Sequence, residues 1–154
     1  MSPEQSHLTE FKPLRVLIVE DEGLIAMDIE GTVEDEGHIV AGWATSADEA
    51  IRLYDASAPD IVFLDIQLLH GTSGLDVARQ LRDRTGARYV FMTANGRLVD
   101  EDLQGGVGLL EKPFSSSKLG SVLAYLQQGL FDPPPSMAKP SGLKLGPQYS
   151  EAWR

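Results

Sequence analysis

The sequence has no cysteine among its 154 residues. A disulfide framework, a thiolate metal site, an iron–sulfur cluster and a cysteine nucleophile are therefore excluded. Long apolar runs are missing as well. Since the longest ones have only the length of a strand, no segment is expected to cross a membrane. Because the amino terminus also lacks an apolar signal core, we expect a soluble cytoplasmic protein.

Positive charge is scarce. Lys and Arg number 13 against 23 Asp and Glu, which gives a formal net charge of −10 at pH 7. This imbalance argues against direct binding of nucleic acid, which depends on cationic contacts to phosphates. Apolar residues make up 42% and charged residues 23% of the chain, as in ordinary globular proteins, and the length predicts one domain.

The composition divides the chain into three parts. Residues 1–13 are polar without periodicity and are expected to form a flexible leader. Residues 14–131 alternate short apolar runs with stretches of helical period, and residues 132–154 form a Pro/Gly-rich tail or arm. The tail contains large apolar residues, namely Leu143, Leu145, Tyr149 and Trp153. We therefore expect it to dock, either on its own domain or across a homodimer.

Strands that alternate with helices at this spacing predict an α/β fold, a flavodoxin-like (βα)5 doubly wound parallel sheet in the order 2-1-3-4-5. The fourth helix is weakly specified, because residues 98–103 are few and acidic and two glycines follow them closely. We expect that helix to be short or mobile. The predicted order makes strands one and three neighbours, and their carboxyl ends flank the crevice in which ligands bind.

Acidic residues stand at these two strand ends. Glu20 and Asp21 follow strand one, and Asp65 follows the apolar run of strand three. Three carboxylates in one crevice raise one another's pKa values unless a cation neutralises them. Mg²⁺ prefers a few carboxylate oxygens together with water and a phosphate group. The pattern therefore predicts a Mg²⁺ site prepared for a phosphoryl group.

Further polar groups follow the other strands. Asp65 could attack phosphorus and become an acyl phosphate. Thr93, at the end of strand four, offers a hydroxyl, and Lys112, at the end of strand five, offers a positive charge. Each residue alone could serve only as a helix cap, a turn residue or a solvated charge. Together, they are the groups that phosphoryl transfer requires, because its barrier falls mainly through positioning and charge stabilisation.

Over about residues 14–131 the chain resembles the receiver domain of two-component response regulators. The motifs that carry this resemblance are Glu20-Asp21, Asp65, Thr93-Ala94 and Lys112-Pro113-Phe114. The resemblance implies that Asp65 accepts a phosphoryl group from the phosphohistidine of a sensor histidine kinase. It also implies that Mg²⁺ is held by Glu20, Asp21 and Asp65, together with the backbone carbonyl of Gln67.

The resemblance assigns roles to the remaining motif residues. Thr93 would hydrogen-bond a phosphoryl oxygen, Ala94 would leave access to the site, and Lys112 would pair with the phosphate. The bond between Lys112 and Pro113 is expected to be cis, a form that X–Pro bonds tolerate in tight turns. Leu109 stands where many receivers carry a switch aromatic residue.

These features predict a single-domain response regulator that signals through protein–protein interaction or phosphorelay. It would catalyse only its own phosphorylation and dephosphorylation. One alternative is a Mg²⁺-dependent phosphatase with Asp65 as nucleophile, although such enzymes usually place a second acid where this chain has Gln67. Another is a flavin or nucleotide carrier, but the acidic run at residues 20–22 would repel the phosphate of such a ligand.

Overall fold

The computed structural model describes residues 11–68 and 73–154. The sheet has six strands in the order β2-β1-β3-β4-β5-β6. The strands are β1 (Arg15–Val19), β2 (Ile39–Ala44), β3 (Ile61–Asp65), β4 (Tyr89–Thr93), β5 (Gly108–Glu111) and β6 (Leu143–Leu145). The first five pair in parallel, in the predicted order. The expected leader lies mostly outside the described residues.

Helices cover both faces of the sheet. They are α1 (Gly23–Asp35), α2 (Ala47–Ser57), α3 (Gly74–Arg82), α4 (Ser116–Phe131) and α5 (Pro147–Ala152). The sheet residues pack against α1 and α4 on one face and against α2 and α3 on the other, which gives two apolar cores. The central strands β3 and β4 are buried at every position, as their nearly continuous apolar sequences require. The predicted α/β fold is confirmed.

The segment between β4 and β5 forms no α-helix. Two single turns of 3₁₀-helix, Gly96–Leu98 and Leu103–Gly105, occupy the place of the weakly specified fourth helix. Leu103 and Gln104 adopt left-handed backbone angles, with φ near 51° and 53°, which interrupt any continuous helix. The acidic residues in this short stretch repel one another, and Gly105 and Gly106 end it before a stable helix can form.

The tail adds a sixth strand to the predicted five. β6 pairs with β5 in antiparallel fashion, with Gly108 opposite Leu145 and Leu110 opposite Leu143. Leu143 and Trp153 are buried in the core on the α1–α4 face. The tail thus docks on its own domain, the first of the two arrangements that we expected. The sequence did not indicate β6, since three residues are too few to display a strand period.

Among the described residues, no helix combines the length and the apolar character that a membrane span requires. The longest, α4, has 16 residues and carries a stripe of buried apolar side chains that faces the core.

Candidate functional site

The sequence-predicted residues meet at the carboxyl ends of the parallel strands. Glu20 directly follows β1, Asp65 is the last residue of β3, and Thr93 is the last residue of β4. Lys112 directly follows β5, and its backbone N–H donates to the carbonyl of Thr93 at 2.8 Å. Parallel pairing of β1, β3, β4 and β5 therefore brings together the residues that lie far apart in the sequence.

Three carboxylates form the centre of the site. Each of Glu20, Asp21 and Asp65 offers an oxygen atom, and these oxygens lie within 4.8 Å of one another. Glu20 and Asp65 are buried, whereas Asp21 is partly exposed. Within the described part of the chain, Lys112 is the ammonium group that contacts these carboxylates, so a divalent cation would balance their surplus. Hard oxygen donors at this spacing fit Mg²⁺.

Lys112 joins two of the carboxylates. Its Nζ donates to Glu20 Oε1 at 2.7 Å and to Asp65 Oδ2 at 3.2 Å. Burial alone would lower the pKa of Lys112, but the hydrogen bond to Glu20 and the charges of both carboxylates raise it above its ordinary value. The lysine is therefore a fixed positive charge beside Asp65.

The other oxygen of Asp65 is also held. Gln67 donates its backbone N–H to Asp65 Oδ1 at 3.2 Å. Because one oxygen contacts Gln67 and the other contacts Lys112, the carboxylate has a defined orientation. The metal-ligating role of the Gln67 carbonyl stays a prediction.

Glu20 lies in a strained electrostatic environment. Burial and the neighbouring carboxylate of Asp65 raise its pKa to about 7, although Lys112 opposes the shift. Such a shift marks a carboxylate whose charge is poorly compensated, a frequent property of metal and catalytic sites.

Thr93 lies at the rim of the site. Its hydroxyl donates to the carbonyl of Asn95 at 3.2 Å and accepts from the N–H of Asn95 at 3.0 Å. Ala94, between them, is exposed. The role of Ala94 in leaving access to the site stays a prediction.

The remaining predicted residues lie next to Lys112 and on β5. The peptide bond between Lys112 and Pro113 is cis, as expected. Leu109 is buried and packs in the α2–α3 core, with its side chain near Gly96. Position 109 therefore carries an aliphatic side chain in place of an aromatic ring. Any movement of the segment between β4 and β5 would take place beside that aliphatic side chain.

Sequence reasoning missed two residues that shape the site. Gly74 packs against the backbone of Asp65, where a Cβ atom would come within 2.1 Å of the Asp65 carbonyl oxygen. Trp43 donates its indole N–H to the backbone carbonyl of Glu20. A glycine at the start of a predicted helix was a visible signal, because it often marks close approach of two backbones. The contact of Trp43 had no such signal.

Comparison with known proteins places this geometry in a family. The model of the response regulator receiver domain matches residues 16–124. The phyllosphere-induced regulator PhyR of Methylorubrum extorquens is 37% identical over 118 residues, which cover 75% of this chain and 43% of that protein. The chain thus spans about half the length of the full-length regulators it matches.

Solved structures agree. The crystal structure of the response regulator PhyR from Brucella abortus has a TM-score of 0.66 and 36% identity, covering 82% of this chain and 51% of that one. The solution structure of the PhyR receiver domain from Erythrobacter litoralis has a TM-score of 0.63 and 30% identity, covering 82% of this chain and 97% of that one. The chain therefore belongs to the response regulator receiver domain family.

Proposed function

We propose that Asp65 accepts a phosphoryl group from the phosphohistidine of a sensor histidine kinase, in a reaction that depends on Mg²⁺. The observation that carries this proposal is the environment of Asp65. One of its oxygens is bound by Gln67 and the other by Lys112, beside two further carboxylates at the carboxyl edge of the sheet. An oriented carboxylate next to a fixed cation is suited to attack at phosphorus.

The proposed transfer balances without another reactant. An oxygen of Asp65 forms a bond to phosphorus while the bond between phosphorus and the imidazole nitrogen of the kinase histidine breaks. The electron pair of that bond stays on the imidazole, and Asp65 becomes an acyl phosphate. Later hydrolysis, with attack by water at phosphorus, would return the carboxylate and release inorganic phosphate.

Glu20, Asp21 and Asp65 would hold the Mg²⁺ ion, together with the carbonyl of Gln67. When bound, the ion supplies positive charge for the phosphoryl oxygens, which carry most of the negative charge in the transition state. The surplus of carboxylates over ammonium groups supports this assignment, because it leaves a charge deficit that a divalent cation corrects.

Lys112 and Thr93 would stabilise the phosphorylated state. The Nζ of Lys112 already lies 3.2 Å from Asp65 Oδ2, so a phosphoryl group on that carboxylate is within its reach. Among the described residues, the hydroxyl of Thr93 bonds to the backbone of Asn95 in its own loop. Exchange of this local bond for one to a phosphoryl oxygen would move the rim between β4 and β5.

The surface beside the site supports a protein as phosphoryl donor. Leu24 and Met27 on α1 are 80% and 63% exposed, so apolar surface that a protein partner could cover lies beside the charged crevice. A cavity of about 260 Å³ lies between α1 and the segment after β5, lined by Ile25, Phe114 and Leu119 among others. Signalling would then continue by protein–protein interaction or by phosphorelay.

A small phosphodonor tests the proposal without the kinase. Phosphoramidate has the same type of phosphorus–nitrogen bond as phosphohistidine. With Mg²⁺ it should increase the intact mass of the wild type by one phosphoryl group. No increase is expected when the metal is chelated or when Asp65 is replaced in the Asp65→Asn variant. Phosphorylation that persists in Asp65→Asn would overturn the proposal. Rapid turnover of small phosphate esters would instead favour a phosphatase.

A further inference from the structure

The segment that carries two of the three carboxylates enters α1 without a side-chain cap at the N-cap position. Glu20 and Asp21 lie between the end of β1 and the start of α1. Glu22 occupies the N-cap position of α1, and its side chain makes no capping hydrogen bond. Helix termini usually depend on such a bond to fix the entering chain. The side chain of Glu20 is held, because its Oε2 accepts from the N–H of Glu22 at 3.2 Å and its Oε1 from Lys112 at 2.7 Å. These contacts leave the backbone carbonyl of Glu20 to be fixed by another group.

Trp43 fixes that carbonyl from the neighbouring strand. It is the penultimate residue of β2 and lies opposite Ile18 of β1. Its indole Nε1–H donates to the backbone carbonyl of Glu20 at 2.7 Å. The backbone N–H of Glu20 donates to the carbonyl of Ala44, the next residue of β2, at 2.9 Å. The end of β2 thus binds Glu20 on both sides of its Cα atom.

The indole ring also reaches the start of the helix. A Cβ atom built on Gly23 would lie 3.8 Å from the far edge of the Trp43 ring, which is ordinary van der Waals contact. The ring therefore lies beside Gly23 as well as beside Glu20. It remains 37% exposed, so its packing against this segment is not explained by burial in the core.

We propose that Trp43 is a positioning residue for the metal site, which fixes the backbone of Glu20 so that the carboxylates of Glu20 and Asp21 converge with Asp65. This inference rests on the proposed function, because it assigns a role in Mg²⁺ binding. The physical reason is that carboxylate oxygens within 4.8 Å of one another repel, so the segment that carries two of them must be held in place. A fixed backbone holds that segment before the cation binds.

The test compares Mg²⁺ affinity in two single variants of the whole chain, measured by isothermal titration calorimetry near neutral pH. Trp43→Phe keeps an aromatic ring and removes the N–H donor. Trp153→Phe is the matched control, because Trp153 packs against Tyr125 and Gly129 in the last turns of α4. We expect the wild type and Trp153→Phe to bind one ion with equal affinity. Trp43→Phe should still bind one ion but about fivefold more weakly, the usual effect of one net hydrogen bond.

The unchanged stoichiometry separates positioning from a general loss of structure, since partial unfolding would lower the number of ions bound. If Trp43→Phe does not fold, 3-benzothienylalanine at position 43 in the Trp153→Phe background replaces only the N–H by sulfur and keeps the ring shape. Equal affinities of the Trp43 variant and its control would overturn this inference alone. No Mg²⁺ binding by the wild type would overturn the proposed function as well.

Discussion

The ring of Trp153 occupies the space where a side chain at Gly129 would lie. A Cβ atom on Gly129, in the last turns of α4, would come within 2.5 Å of two carbons of the indole. Tyr125 and Tyr149 pack edge-on against the same ring, with centroid distances of 5.7 and 5.3 Å. The absence of a side chain at one helix position is therefore what allows the tail to close onto the domain.

The Gly129→Ala variant should lose stability because of this contact. The new methyl group must displace the indole, and overpacking of this kind costs about 1–3 kcal/mol. Thermal unfolding followed by circular dichroism measures the loss. In a Trp153→Ala background the same change should instead stabilise α4, since alanine favours a helix over glycine by about 0.5–1 kcal/mol.

Gly31→Ala is the matched control for that experiment. Gly31 also lies inside a helix, α1, but a Cβ atom there would meet nothing within 4 Å. We expect this variant to gain about 0.5–1 kcal/mol through helix propensity alone. Equal effects of alanine at Gly129 and Gly31 would show that the tail does not contact α4 in solution.

Removal of the tail should expose the edge of the sheet. Without residues 132–154, β5 loses the pairing of Gly108 and Leu110 with β6 and presents unpaired backbone groups. The loss of buried Leu143 and Trp153 should cost about 3 kcal/mol or more. We expect a lower unfolding temperature together with a larger mass by light scattering, as free edges pair between molecules.

A synthetic peptide of residues 139–154, added in excess, should reverse both effects of the truncation. Exchange of the tail between two copies predicts another pattern, a dimer of the full chain that becomes monomeric when the tail is removed. That result would contradict closure of the tail on its own domain.

Much of the site could be predicted from the sequence because parallel topology converts strand ends into neighbours. Once β1 and β3 were identified from their apolar runs, the placement of Glu20 beside Asp65 followed without knowledge of any contact. The Ser-x-x-Glu pattern of residues 46–49, which is typical of a helix start, is equally local, and the hydroxyl of Ser46 accepts from the N–H of Glu49. These features could be predicted because they depend on residues close together in the sequence or on a regular pattern of apolar residues.

The features that the sequence did not predict depend on single contacts between distant segments. Trp43 bonds to a backbone carbonyl 23 positions away, and a carbonyl has no sequence signature. The tail strand β6 has three residues and pairs with the edge of β5, and the docking of Trp153 depends on the space at Gly129. Neither local propensity nor period reports on such tertiary contacts.

The Lys112→Met variant should be destabilised mainly when metal is absent. Loss of the ammonium leaves Glu20 and Asp65 without their ion-pair partner. Breaking a buried ion pair in this way lowers the free energy of unfolding by about 3–5 kcal/mol. Because Lys112 is partly exposed, we expect a loss of about 2 kcal/mol. Mg²⁺ would restore the missing positive charge. The unfolding temperature should therefore fall in the presence of a chelator and recover in excess Mg²⁺.

Lys144→Met serves as the control. Lys144 is exposed on β6, so this substitution removes the same charge from the surface. Its unfolding temperature should barely change under either condition. Equal destabilisation of Lys112→Met with and without Mg²⁺ would argue that Lys112 and the cation do not share the same carboxylates.

His38 is held neutral in the folded protein. Its Nδ1 accepts a hydrogen bond from the backbone N–H of Leu14 at 2.9 Å, and it is nearly fully buried. Burial lowers its pKa below the ordinary value of 6.5, against a smaller opposing effect of Glu36. Since the unfolded chain binds this proton more readily than the folded one, the stability contributed by neutral His38 is complete above about pH 6.5 and is lost as the pH falls.

The His38→Gln variant isolates this effect. Glu20 titrates with the opposite sign, because its raised pKa makes the folded state the better proton acceptor, so the wild-type curve alone would mix the two groups. Denaturant unfolding of both proteins should show that the free energy of unfolding of the wild type falls more steeply below about pH 6.5. The variant should be less stable at neutral pH, through loss of the bond to Leu14, and the difference should shrink with acidification. A constant difference between the two curves would mean that His38 does not titrate differently in the folded and unfolded states.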